Sequence, residues 1–100
     1  MGRRGRTEAK PVRGEKERDE LVLAYLDVPP RAVRSLWRRM PSVREMGWDD
    51  AVQVANLALL RAASLWKDAG EFRPYAFASC RRNVRVAARR GVFLGPKQGC

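Results

Sequence analysis

The sequence predicts an all-α fold, a small four-helix bundle, on three observations. At 100 residues the chain makes one small domain. Apolar residues recur at helical spacing in successive segments. Pro29-Pro30, Pro41, Gly47, Gly70 and Gly91 fall where those segments begin and end. With 45% hydrophobic residues, the core is modest at this size.

Residues 1–14 hold three glycines, one proline and little that is apolar, which predicts a disordered basic arm. The helical domain is expected over residues 15–91. Its first helix runs over about residues 15–26, with Leu21, Val22 and Tyr25 on one face. Pro29-Pro30 stops that helix and opens the next, since proline suits a first helical turn. The second helix covers about residues 30–40. Val33, Leu36, Trp37 and Met40 recur there at i, i+3, i+4 and i+7, one buried stripe. Arg31, Arg34, Arg38 and Arg39 fall largely on other faces. Pro41 and Gly47 bracket a loop.

The third helix, about residues 49–67, is the most informative. At about 100° per residue, its polar residues from Asp49 to Lys67 share one arc of roughly 140°. The rest is apolar: Ala51, Val52, Val54, Ala55, Ala58, Leu59, Ala62, Ala63, Leu65 and Trp66. A stripe that wide predicts a central helix packed on more than one side. Leu57 and Leu60 sit inside the polar arc. They are either ordinary surface leucines or, beside Asp50, Gln53 and Asn56, a docking patch.

Residues 67–70 form a turn, with Gly70 as a left-handed stop. The fourth helix covers about residues 74–90. Arg81, Arg82, Arg85 and Arg89 share one face; Ala76, Phe77, Cys80, Val84, Ala87 and Ala88 share the other. Tyr75 borders the arginine face and Phe72 lies just before the helix; an aromatic ring beside an arginine row suits an unpaired base, the alternative being helix-entry packing against the core. Gly91 ends it, and residues 92–100 read as a flexible tail. Trp37, Leu59, Trp66 and Val84 are the expected core.

Charge narrows the function. The chain has 21 Lys+Arg against 11 Asp+Glu, a net charge of +10. No acid follows Glu71, while Arg73, Arg81, Arg82, Arg85, Arg89, Arg90 and Lys97 do. A field of one sign over one segment attracts a polyanion, nucleic acid first and an anionic membrane second. There is no histidine, which excludes an imidazole-based triad and a His-ligated metal site. Cys80 and Cys100 are too few and too far apart for a metal cluster. Cys80 reads as a small buried hydrophobe. Asp49 and Asp50 open a helix, where the macrodipole favours carboxylates, and this outweighs a catalytic pair. No apolar run spans a bilayer and no secretory signal is visible, so a cytoplasmic protein is expected, associated with the nucleoid where its basic charge meets DNA. The reading is non-enzymatic, with no cofactor and no metal.

A more specific signal lies in two segments. Asp50-Ala-Val-Gln-Val-Ala-Asn-Leu-Ala-Leu-Leu-Arg-Ala62 resembles D-L-V-Q-E-G-N-L-G-L-L-R-A, a hallmark of region 2 of the bacterial sigma factors. These are the promoter-specificity subunits of RNA polymerase. Glu71-Phe-Arg-Pro-Tyr-Ala-Phe-Ala-Ser-Cys-Arg-Arg-Asn-Val84 is similar to the family's R-F-S-T-Y-A-Y-W-W-I-R-Q-A-I. Residues 21–40 fit the preceding helices. The resemblance covers residues 19–90.

The resemblance implies a compact helical domain. One helix docks on the clamp helices of the polymerase beta-prime subunit. The next segment captures flipped bases from the non-template strand of the minus-ten promoter element. It assigns polymerase binding to Asp50, Gln53, Asn56, Leu57 and Leu60. DNA binding falls to Phe72, Arg73, Tyr75, Arg81, Arg82, Arg85 and Arg89. The partners implied are core polymerase and promoter DNA, with an anti-sigma factor as a further candidate. Four positions depart from the pattern. Val54 replaces a glutamate, Ala55 a glycine, and Ala78 and Ser79 replace the paired tryptophans that wedge into the duplex. No counterpart of region 4 follows, so a lone region 2, as a fragment, a truncated gene or a stand-alone protein, is expected. Two rival readings are a regulator that occupies the clamp without reading DNA and a generic basic helical DNA-binding domain.

Overall fold

Proline and glycine set the helix boundaries of this chain. The computed structural model describes residues 14–68 and 70–91. The expected arm, apart from Gly14, and the expected tail lie outside the described residues. Among the described residues the fold is all-helical, with five α-helices.

Helix α1, Glu15–Ala24, opens with Glu15 and Glu17 in its first turn, where the macrodipole favours acids. None of its residues is buried. Leu21, Val22 and then Tyr25 rest half-buried against the core, while Leu23 and Leu26 face outward. Helix α2, Val28–Trp37, takes Pro29 and Pro30 into its first turn. An amide there has no intrahelical partner, so proline forfeits nothing. Val28, Pro29, Ala32, Val33 and Leu36 are buried. The helix stops three residues short of the expected end, and an Arg44 Nη1–H donates to the Trp37 carbonyl there.

The expected loop at residues 41–47 is instead a short helix, α3, Pro41–Met46. Pro41 occupies its first turn, and Val43 and Met46, at i and i+3, turn into the core. Gly47 has φ +97°, ψ 153°, a conformation side-chain-bearing residues rarely adopt. Its N–H bonds to the carbonyls of Val43 and Arg44, and α4 begins at the next residue. The bundle therefore has five helices, not four.

Helix α4, Trp48–Leu65, packs against all four others. Its inner surface is Ala51, Ala55, Ala58, Leu59, Ala62 and Ala63, and the small side chains let neighbouring backbones approach. It ends before the expected Lys67, because Trp66 is already extended (φ −66°, ψ 132°). Gly70 is left-handed, as is Asp68, but both lie in the connection beyond the helix end.

Helix α5, Phe72–Arg90, begins two residues earlier than expected. Pro74 sits in its first turn, and Phe72 is helical and buried. Gly91 stops the helix in the left-handed conformation, its N–H reaching the carbonyls of Ala87 and Ala88. Leu59 and Val84 lie in the core as expected. Trp37 and Trp66 are half-buried at its edge; the Trp37 ring meets that of Trp48 edge-on at 5.4 Å. Cys80 is fully buried on α5, its thiol 3.3 Å from the Ala55 carbonyl oxygen on α4. Burial pushes that thiol up to about 11.

Candidate protein and nucleic-acid interfaces

The outer face of α4 carries the residues expected to bind polymerase. Gln53, Asn56 and Leu57 are exposed, and Asp50 and Leu60 are half-buried. Asp49 and Arg61, from the same polar arc, are also exposed. Leu57 leaves 56% of its surface in solvent, beyond anything packing requires of it. Val54, at the edge of the arc, packs half-buried against the core. A neutral apolar group there belongs to the fold more than to the outer surface.

The start of α5 differs from expectation. Phe72 is only 2% exposed. Its ring meets Tyr25 edge-on at 5.0 Å, Trp66 at 5.1 Å and Tyr75 at 6.2 Å. It fastens α5 to the end of α1 and to the α4–α5 connection. A base has no open face of Phe72 to stack on, so Phe72 is a core residue and not a DNA contact in this fold.

Arg73 is already engaged within the chain. Its two Nη groups donate to the Asp27 carboxylate, at 2.7 and 3.4 Å, and its guanidinium lies over the Tyr25 ring, 5.1 Å from the centroid. Arg31 reaches the same carboxylate at 3.0 Å. The hydrogen bond from Arg73, chiefly, holds the Asp27 carboxyl below its ordinary value of 3.8. A lowered carboxyl pKa stabilises the fold above the unfolded value and loses that effect as pH falls through the folded one. Asp27→Asn should therefore lower stability at pH 7 and lower it less at about pH 2. Urea unfolding at both pH values measures this; an equal effect at both would show that the ion pair contributes nothing.

Tyr75 remains available, 40% exposed. It borders two adjoining hollows between the end of α4 and the first half of α5. One, about 270 Å³, is lined by Ala58, Arg61, Leu65, Tyr75, Ser79, Arg82 and Asn83, among others. The other, about 300 Å³, lies over Leu65, Trp66, Lys67 and Tyr75. Leu65 and Tyr75 line both, so together they form an open groove with an aromatic wall and with Arg61, Lys67 and Arg82 among its lining residues. Arg61, Lys67 and Arg82 are exposed, and Ser79 is nearly buried. The Asn83 Nδ2–H donates to the Ser79 carbonyl at 2.8 Å, which orients its amide.

The arginine row is present but uneven. Arg82 and Arg89 are exposed, and Arg81 and Arg85 are half-buried. Arg81 lies 5.9 Å from the Phe77 ring centroid, and its Nε is buried with no hydrogen-bond partner among the described residues.

Comparison with protein-family models, curated proteins and solved structures finds no match to this chain. The functional reading therefore rests on residues and geometry. Among the described residues no helix is long and apolar enough to cross a membrane, and no three metal-ligating side chains come together.

Sequence reasoning named Tyr75 and Arg82 but missed Arg61, Ser79 and Asn83 as their neighbours. The signal was faint. Arg61 reads as one more polar residue of its own helix, and Ser79 as a lost tryptophan.

Proposed function

We propose that this chain is a sigma-factor-like module that docks on RNA polymerase through α4 and holds unpaired promoter DNA along α5. The observation that carries the reading is the groove beside Tyr75. It lies between the helix bearing the sigma-like motif and the helix bearing the arginine row. Tyr75 offers a ring to an unstacked base. Arg61, Lys67 and Arg82 offer charge to the phosphates on either side. Single-stranded nucleic acid is held by this combination of stacking and cations. The exposed arc of α4 around Leu57 is the polymerase surface.

Tyr75→Ala tests the DNA half of the reading. In the complex with core polymerase, affinity for a pre-melted minus-ten fragment should fall by roughly 1–3 kcal/mol, with no change in salt dependence. Intact duplex should be bound more weakly than the pre-melted fragment, since Ala78 and Ser79 supply no wedge. Equal affinity of the complex for duplex, bubble and random DNA would refute promoter reading.

A second reading has its own support. With Phe72 buried, Arg73 paired to Asp27 and no tryptophan at 78 or 79, α5 presents a single exposed ring, Tyr75. A regulator that occupies the polymerase clamp without capturing bases needs no more than that. The bubble measurement separates the two.

A further inference from the structure

Residues 28–44 hold five arginines and no acid. The reading above uses none of them. Helix α2 turns Val28, Ala32, Val33 and Leu36 into the core. At about 100° per residue, Arg31, Arg34 and Arg38 share the opposite side within roughly 60°, over about 10 Å of helix. Arg39 and Arg44 continue the positive run past its end.

The structure supplies little to offset these charges. Arg31 pairs with Asp27, and Arg44 bonds the Trp37 carbonyl. The guanidinium groups of Arg34, Arg38 and Arg39 have no hydrogen-bond or ion-pair partner among the described residues, and all three are exposed. Arg34 and Arg38 stand at i, i+4, where like charges destabilise a helix. The macrodipole favours a cation near the C-terminal end, but it does not call for three unbroken by an acid.

We propose that the outward side of α2 at Arg34 and the turn that follows the helix, with Arg38 and Arg39, form a second nucleic-acid surface that grips the phosphate backbone of duplex DNA regardless of sequence. The surface is chiefly guanidinium groups, with the Trp37 ring half-buried against Trp48 at its edge, so it offers charge more than base readout. Duplex DNA presents one charge per about 1.7 Å of axis, dense enough to engage all three arginines at once. A membrane surface fits less well. A helix lying on lipid must bury an apolar face there, and that of α2 is already the core. Because α2 packs directly on α5, the two basic faces belong to neighbouring helices.

The test uses the full chain without polymerase, so it can fail while the promoter reading stands, and the reverse. Affinity for a random-sequence duplex is measured by fluorescence anisotropy across a salt series. Arg34→Gln with Arg38→Gln should weaken binding at least tenfold at low salt. The slope of log affinity against log salt should become shallower by about 1.8, two phosphate contacts' worth. The matched control, Lys16→Gln with Arg18→Gln on α1, removes the same charge and should leave the slope unchanged. An unchanged slope in the α2 variant, or an equal loss in the control, overturns the proposal. So does stronger dependence on Arg34 and Arg38 for anionic phosphatidylserine vesicles than for duplex.

Discussion

Phe72→Ala is expected to lower stability by about 3–5 kcal/mol, the usual cost of emptying a buried phenylalanine site. The ring is held by three other aromatic rings, from the end of α1, the α4–α5 connection and α5 itself. Its loss leaves a cavity that several elements would have to move together to fill. A small domain has about 5–15 kcal/mol in total, so this one change removes a large share. Urea unfolding followed by circular dichroism reads it directly. Tyr75→Ala, one turn later but 40% exposed, should shift the same curve little. A Phe72→Ala loss below about 1 kcal/mol would mean that the ring is outside the core and free to meet a base.

The contrast between Phe72 and Tyr75 shows what one-dimensional reading can reach. The wheel of α4 was legible because a single long helix fixes its own faces. The arc holding Gln53, Asn56 and Leu57 is the exposed side. The arginine and core faces of α5 were legible for the same reason. Helix α3 was not, because Pro41 and Gly47 look like loop residues until proline is seen in the first turn and glycine at the stop. With Pro74 as the first helical residue, the Phe72 ring lies outside the helix and a wheel gives it no face, so the sequence leaves stacking and core packing both open; the helix starts at Phe72 and buries it. The pairing of Arg73 with Asp27 spans 46 residues, which no local pattern shows. The groove is a property of two helices together, so no single wheel brings Arg61 to Ser79 and Asn83. Local periodicity carries the elements and their buried sides; pairings between distant segments need the fold.

Leu57→Asp is expected to weaken binding to core RNA polymerase by at least about thirtyfold while leaving the melting temperature unchanged. The first half follows from the proposed docking surface. An apolar side chain at the centre of an interface commonly contributes about 2 kcal/mol or more, and every 1.4 kcal/mol is tenfold. The second half follows from exposure. Leu57 leaves 56% of its surface in water, so a carboxylate there is solvated in the free chain and disturbs no packing. Leu60 makes a less clean probe than its neighbour. It is half-buried, so Leu60→Asp should weaken binding and also lower stability. Val54→Glu restores the charge of the sigma pattern, but Val54 packs half-buried against the core, so any gain in docking comes with a loss of stability. The three variants together form a test that neither unfolding nor general charge effects can imitate. Leu57→Asp alone separates binding from folding, Leu60→Asp couples them, and Val54→Glu moves them in opposite directions. Measuring affinity for core polymerase beside thermal melting distinguishes the cases. Undiminished binding by Leu57→Asp would remove the outer face of α4 from the interface, and with it the polymerase half of the proposed function.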